Sequence, residues 1–159
     1  LRYAALLALV VWSGGLIALG SIAAPAIFDT VATRQVADGR LVAGAIFGEA
    51  LRRFHMVAYG CGALLLLSLV TRRILGPRPR HTGVRLGLTA IMLAAMVYSG
   101  TAIATRVAAL QRDIGVAPSS LPATDPRRAE FGRLHAMSTA LLLVPVIGSL
   151  ALIWWELRD

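Results

Sequence analysis

LHAMSTALLLVPVIGSLALIWW, residues Leu134–Trp155, runs for twenty-two positions without an arginine, lysine or carboxylate. A bilayer's hydrocarbon core of ~30 Å asks for about 20 predominantly apolar residues in a helix. This stretch meets that length, and Trp154-Trp155 closes it with rings that favour the membrane–water boundary. Three further stretches, Ala4–Phe28, Phe54–Val70 and Val84–Thr105, reach or approach the same length. A helix of a water-soluble fold would return a polar residue every third or fourth position. Ala63–Val70 and Ala90–Val97 have no such rhythm. The fold class that follows is all-α: an integral membrane four-helix bundle, one domain over residues 1–159, with helices at about 4–28, 42–71, 84–112 and 127–156.

Composition agrees. An apolar fraction of 57% and a mean hydropathy of +0.72 exceed what a soluble chain of this length carries. The net charge of +8 suggests nucleic acid only until the charges are placed. All sixteen basic residues are arginines, and they gather at helix ends and in loops. Arg72, Arg73, Arg78, Arg80 and Arg85 crowd one short connection, the pattern of a cytoplasmic loop. Arg2 and Arg158 then fall on the same side, so both termini are expected to be cytoplasmic, in a bacterial inner membrane. The opposite loops hold nine arginines diluted by six acidic residues. The single Cys61 lies within an apolar stretch and reads as a packing residue. The first apolar stretch is longer and more evenly apolar than a cleaved leader, and reads as a retained helix.

Along the chain, Gly14, Gly15, Gly20 and Ser21 are small residues of the kind that let membrane helices approach closely. Pro25 stands near the expected end of the first helix, and a loop is expected from Asp29-Thr30. Val42–Val70 reads as helix almost throughout, and at ~1.5 Å per residue it is longer than a membrane is thick. Its first part holds the pair Gly44/Gly48 and three charges, so it either projects beyond the membrane or lies along the interface. Glu49 and Arg53 are spaced to pair on one helix face. Gly76-Pro77-Arg78-Pro79 breaks the chain into a turn, and Gly115–Pro126 is a loop by composition. Asp125 is placed to cap the last helix, with Pro126 at its first position. Pro145, within that helix, is expected to kink it. A shift of eighty residues superposes His55 on His135 and Gly20 on Gly100, but only ten of 79 aligned pairs are identical. That is a chance level for this composition, so no repeat is read from the sequence.

His55 and His135 each open an apolar stretch on the same expected side, two residues after an arginine. Ionisable side chains at such depth usually face a bundle interior or a water-filled cavity. Arg52, His55 and Tyr59 share one helix stripe, and His135 and Ser138 share another. Thr101, Tyr98, Ser99 and Ser21 fall at similar depth. Three readings stand. The histidines join an interhelical hydrogen-bond layer, or they ligate a haem b or a metal ion, or the arginines Arg52, Arg53, Arg106 and Arg133 line an anion pocket. His81 lies in the arginine-rich turn, which could also hold anionic lipid headgroups. No Walker motif, dinucleotide loop or metalloprotease motif is present.

Three blocks resemble a bacterial membrane family known as domain of unknown function 4149, related to the eukaryotic transmembrane protein 205. They are Trp12-Ser-Gly-Gly15 through Ala24-Pro25-Ala26-Ile-Phe28; Gly39-Arg40-Leu-Val-Ala-Gly44-Ala-Ile-Phe47; and Phe131-Gly-Arg133-Leu-His135-Ala-Met-Ser138. The last is similar to a family signature that opens the final helix. Where that family commonly has an asparagine one turn later, this chain has Leu142. The Trp-x-Gly-Gly opening is also similar to that of copper-resistance membrane proteins and of a four-helix haem-pathway oxidase. The family resemblance implies four membrane helices and no established enzymatic activity. The resulting expectation is a non-enzymatic integral membrane protein, a structural or accessory subunit packing through Gly14, Gly15, Gly44 and Gly48. Its partners would be membrane lipids and other membrane subunits or a second copy, and nucleic acid would not be one. The alternative is a haem- or metal-binding protein using His55 and His135.

Overall fold

The computed structural model describes residues 1–76 and 80–158. The expected turn at Pro77-Arg78-Pro79 lies outside the described residues. Four helices make up the bundle: α1 Arg2–Thr33, α2 Gly39–Leu75, α3 Thr82–Ile114 and α4 Pro126–Arg158. No strand occurs among the described residues. Each helix holds a window long and apolar enough to cross a membrane. At ~1.5 Å per residue, helices of 32 to 37 residues are roughly 50 Å long. They therefore extend well past a ~30 Å core. The protein is a multi-pass integral membrane protein.

The helices run further than their apolar stretches because their polar ends still favour helix in water or headgroups. Helix α1 continues through Pro25 and Asp29 to Thr33, where a loop was expected. Directly before Pro25 the turn widens to a π turn over Leu19–Ala23. A wider turn relieves the clash a proline ring makes with the carbonyl one turn back. Helix α2 is one continuous helix, and its charged first part projects beyond the apolar span. There Glu49 pairs with Arg53 at 2.8 Å and with Arg52 at 2.7 Å. Asp125 accepts the Arg127 amide at 2.9 Å and the Arg127 side chain at 2.9 Å, closing the start of α4. The guanidinium first, then the amide, hold the Asp125 carboxyl below the usual carboxylate range.

The helices form a ring in which α1 packs on α2 and α4, and α3 packs on the same two neighbours. Leu9, Trp12, Leu65, Leu69, Met92 and Met96 fill its centre. Glycines set two of the close approaches. A Cβ on Gly62 would lie 2.3 Å from Leu93, and one on Gly148 would lie 2.6 Å from Met92.

A register appears that residue identities do not reveal. Ala5, Leu9, Trp12 and Leu16 of α1 are buried, and so are Arg85, Thr89, Met92 and Met96, each eighty positions later in α3. Leu65, Ser68 and Leu69 of α2 correspond in the same way to buried Pro145, Gly148 and Ser149 of α4. A second π turn, Ser99–Ile103, stands eighty residues after Leu19–Ala23. Within the two turns, Ser21 donates to the Ile17 carbonyl and Thr101 to the Val97 carbonyl, each at 2.6 Å. The two hairpins share a packing register although their sequences match only at a chance level.

At the end that carries both termini, one carboxylate gathers charge from the other helices. Glu156 of α4 is 2% exposed, and both its oxygens accept from Arg72 of α2 at 2.8 and 2.9 Å. Its Oε1 also accepts from Arg85 of α3 at 2.8 Å, and Arg85 is 1% exposed. Arg2 of α1 donates to the Glu156 backbone carbonyl. All four helices thus meet at one residue. Removing one member of a buried ion cluster typically costs about 3–5 kcal/mol, because it strands the remaining charges. Glu156→Ala should therefore lower the thermal midpoint sharply in detergent. The charge-free triple variant Arg72→Met, Arg85→Met, Glu156→Leu should regain most of the loss. An unchanged midpoint in Glu156→Ala would overturn this account.

Candidate functional site

The opposite end, where the α1–α2 corner and the long α3–α4 loop lie, opens into a vestibule of about 650 Å³ to which all four helices contribute. Phe28 and Val31 of α1, Leu41 of α2 and Phe131 of α4 supply apolar wall. The corner between α1 and α2 is strained. Gln35 and Asp38 hold φ of 50° and 52°, the left-handed region that side chains with a Cβ rarely adopt. Gly39 follows them, and a Cβ there would lie 2.8 Å from Val31. Non-glycine residues in this conformation cost of order 1–3 kcal/mol and tend to accumulate at functional sites.

The vestibule's charges are unbalanced. Arg40 and Arg128 line it against one carboxylate, Asp29, and the His135 imidazole lines it as well. Arg128 donates to the Leu121 carbonyl at 2.7 Å and so ties the second loop to α4. His135 lies flat against Phe131, ring centroids 6.2 Å apart and 9° from parallel. Gln35 and Gln111 add side-chain amides. Apolar walls under a cationic rim suit an amphipathic anion, with its chain against Phe28 and Phe131 and its acidic group toward the arginines.

His55 stands elsewhere. It is 4% exposed, and its Nδ1 lies 2.7 Å from the Leu51 carbonyl. A carbonyl only accepts, so Nδ1 carries a proton. The buried Nε2 has no partner among the described residues. The ring packs edge-on to Tyr59 at 6.0 Å and faces the second π turn. A Cβ on Gly100 would lie 2.6 Å from both His55 Cδ2 and Tyr59 Oη, so only glycine admits α3 this close. Tyr59 reaches the Met96 carbonyl at 3.5 Å, and Ser99 and Ser138 join α3 to α4 at 3.4 Å. These are polar contacts between helices, but the hydrogen bond of His55 stays within its own helix, and His135 lies at the vestibule.

The other expected site residues scatter. Arg52 and Arg53 point outward onto Glu49 with side chains 65% and 77% exposed, so they line no pocket with Arg106 or Arg133, both also exposed. Tyr98, Thr101 and Ser21 are exposed as well. Gly15 packs against Phe54 inside the bundle, whereas Gly14 and Gly48 face outward and Gly44 approaches Gln111 at the vestibule. His55 and His135 occupy different surroundings, and no group of three or more His, Cys, Asp or Glu able to hold a metal occurs among the described residues. The Glu156 cluster was not anticipated. Its one signal was Arg85 inside an apolar stretch, a place where ionisable residues are rarely idle.

The two histidines should respond differently to removal. His55→Ala deletes a buried hydrogen bond and leaves space beside Tyr59, so it should cost about 1–3 kcal/mol. His135→Ala removes an exposed ring and should leave the thermal midpoint within a degree or two. Equal loss in both variants, measured by thermal unfolding, would contradict the asymmetry.

Comparison with curated proteins and with solved structures returns no match. Comparison with protein families returns one, described as Domain of unknown function (DUF4149), over residues 7–115. That span contains α1 from Leu7, the strained corner, α2 and α3, and so the first two of the blocks that resemble the family. The third, around His135, lies beyond it. With more than half of its length matched, the chain belongs to the DUF4149 family.

Proposed function

We propose that the protein is a non-enzymatic membrane component that acts by binding, taking an amphipathic anion into the vestibule at its loop end. The observation that carries this reading is the vestibule itself. Its volume of about 650 Å³ lies within the ~300–1,000 Å³ typical of small-molecule sites. Its arginines stand above aromatic walls, and the strained α1–α2 corner shapes its mouth. A photoreactive fatty acid in lipid nanodiscs tests it. Cross-links should concentrate on residues 28–44 and 128–135, and excess unlabelled fatty acid should suppress them. Gly44→Trp, which fills the vestibule beside Gln111, should reduce them at least tenfold. Labelling spread evenly over the lipid-facing surfaces would overturn the reading.

An accessory-subunit role is favoured by a second observation. On α3, Gly83, Gly87, Ala90 and Ala94 are all exposed, and their spacing of four, three and four places them on one outward face. A Cβ on either glycine would meet nothing within 4 Å. Small residues on one face let a second transmembrane helix approach closely, and such packing drives association in lipid. A transmembrane helix of another subunit is the occupant this face suits. Gly87→Leu and Ala94→Leu should each release the partner in native mass spectra of mildly extracted protein, while Gly14→Leu on α1 should keep it. A wild-type mass of one bare chain, or partner retention in both α3 variants, would contradict this role. The haem or metal alternative gains no such support, because the two histidines do not share a site.

A further inference from the structure

We propose that the end of the bundle carrying the termini holds a second binding site, for a phosphate-bearing anion, between the start of α3 and the end of α4. This site lies at the far end from the vestibule and does not depend on it. A cavity of about 230 Å³ is lined there by Arg80, His81, Arg85, Trp154, Trp155 and Arg158. Three of the six are arginines, and no carboxylate lines the cavity among the described residues.

The site is built in depth. Arg85 forms the back wall, 1% exposed and fixed by Glu156 at 2.8 Å. Its guanidinium carbon lies 6.0 Å from the Trp155 ring centre, and His81 faces the same ring at 6.5 Å. Arg158 stacks over Trp154 at 3.9 Å. Stacking occupies the face of a guanidinium but leaves its in-plane N–H donors available to an anion. Neither Arg80 nor Arg158 has an ion pair among the described residues, so both contribute positive charge that Glu156 does not offset.

The backbone adds to this field. His81 holds φ of 55° and turns the chain into α3 without a side-chain cap. The first-turn amides of a helix lack helical acceptors, and they and the helix dipole favour an anion at that end. Here the amide end of a 33-residue helix meets two arginines and a buried third.

The chemistry favours phosphate over a lone carboxylate. A phosphate group offers three acceptor oxygens and can bridge several guanidiniums at once. The cavity has room for a headgroup but not for acyl chains, and exposed Val84, Trp154 and Leu157 offer apolar surface beside it. Two sources share this chemistry: the headgroup of an anionic phospholipid, and a free phosphate or soluble phosphate ester.

Native mass spectrometry and thermal unfolding of the full chain distinguish them. The protein is released from nanodiscs of phosphatidylcholine or of phosphatidylcholine with phosphatidylglycerol. In parallel, detergent-purified protein is titrated with inorganic phosphate against chloride at constant ionic strength. Preferential retention of phosphatidylglycerol, lost at least tenfold in Arg80→Ala/Arg158→Ala and kept in Arg133→Ala, supports the site with a lipid as its source. Thermal protection by inorganic phosphate, without lipid preference and abolished by the same double variant, supports it with a soluble source. Both side chains are exposed, so the double variant should fold. Trp154→Ala, which removes the stacking platform, gives a second reading on the same retention. Retention or protection indifferent to both variants, or absent in wild type, overturns the proposal.

Discussion

A single carboxylate sets the geometry of this bundle. Lipid tails are as apolar as leucine, so burying apolar surface does little to hold membrane helices at one height or one rotation. Helices of alanine, leucine and glycine can slide past each other at small cost. The Glu156 carboxylate removes that freedom. Two guanidiniums reach it from α2 and α3, and a third holds its backbone carbonyl from α1. Separating any of them would leave a charge without its partner in a poorly solvated place, and that cost far exceeds any gain from sliding. The cluster therefore acts as a pin at one end. The vestibule lies at the other end.

The pin accounts for features at both ends. Arg85 can lie fully inside the bundle because Glu156 neutralises it, and it can then serve as the fixed wall of a cationic cavity. At the loop end no equivalent ion cluster ties the four helices among the described residues. The space between their ends is instead bounded by the strained Gln35–Asp38 corner and by the Arg128 bond to Leu121. One end is closed by charge pairing, the other is held open by loops.

The four spans were legible because hydropathy over ~20 residues is a sum, insensitive to any one contact. The helix ends were less so: α1 passes Pro25 only because a π turn precedes it, and sequence carries little sign of that turn. Glu156 was hidden for a different reason. One acid at the end of an apolar stretch is ordinary, and Arg72 and Arg85 were already explained by the charge bias of a cytoplasmic loop. Only their convergence across three helices shows what they do. The same limit applies to Arg52 and Arg53. Arg52 was read as sharing a stripe with His55 and Tyr59, but Glu49 on the preceding turn draws both arginines outward, away from His55. His55 is buried beside Tyr59 and Gly100, whereas His135 lines a vestibule that exists only once the loops are folded.

The eighty-residue register shows where the two hairpins differ. In most of the bundle the two hairpins are equivalent, with apolar or small residues buried at matching positions. The equivalence fails at several places, and the ionisable residues are among them. Buried Arg85 corresponds to buried Ala5, and buried Glu156 to Gly76 in the turn. His55 faces inward onto Gly100, whereas His135 faces the vestibule and Gly20 has nothing near it. A symmetric pair of hairpins would suffice to span a membrane, and symmetry at the core positions keeps the helices packed. The charges, the paired imidazole positions and the open vestibule are what distinguish one hairpin from the other. An explanation of this protein's role has to come from those differences, because the shared register already accounts for the fold.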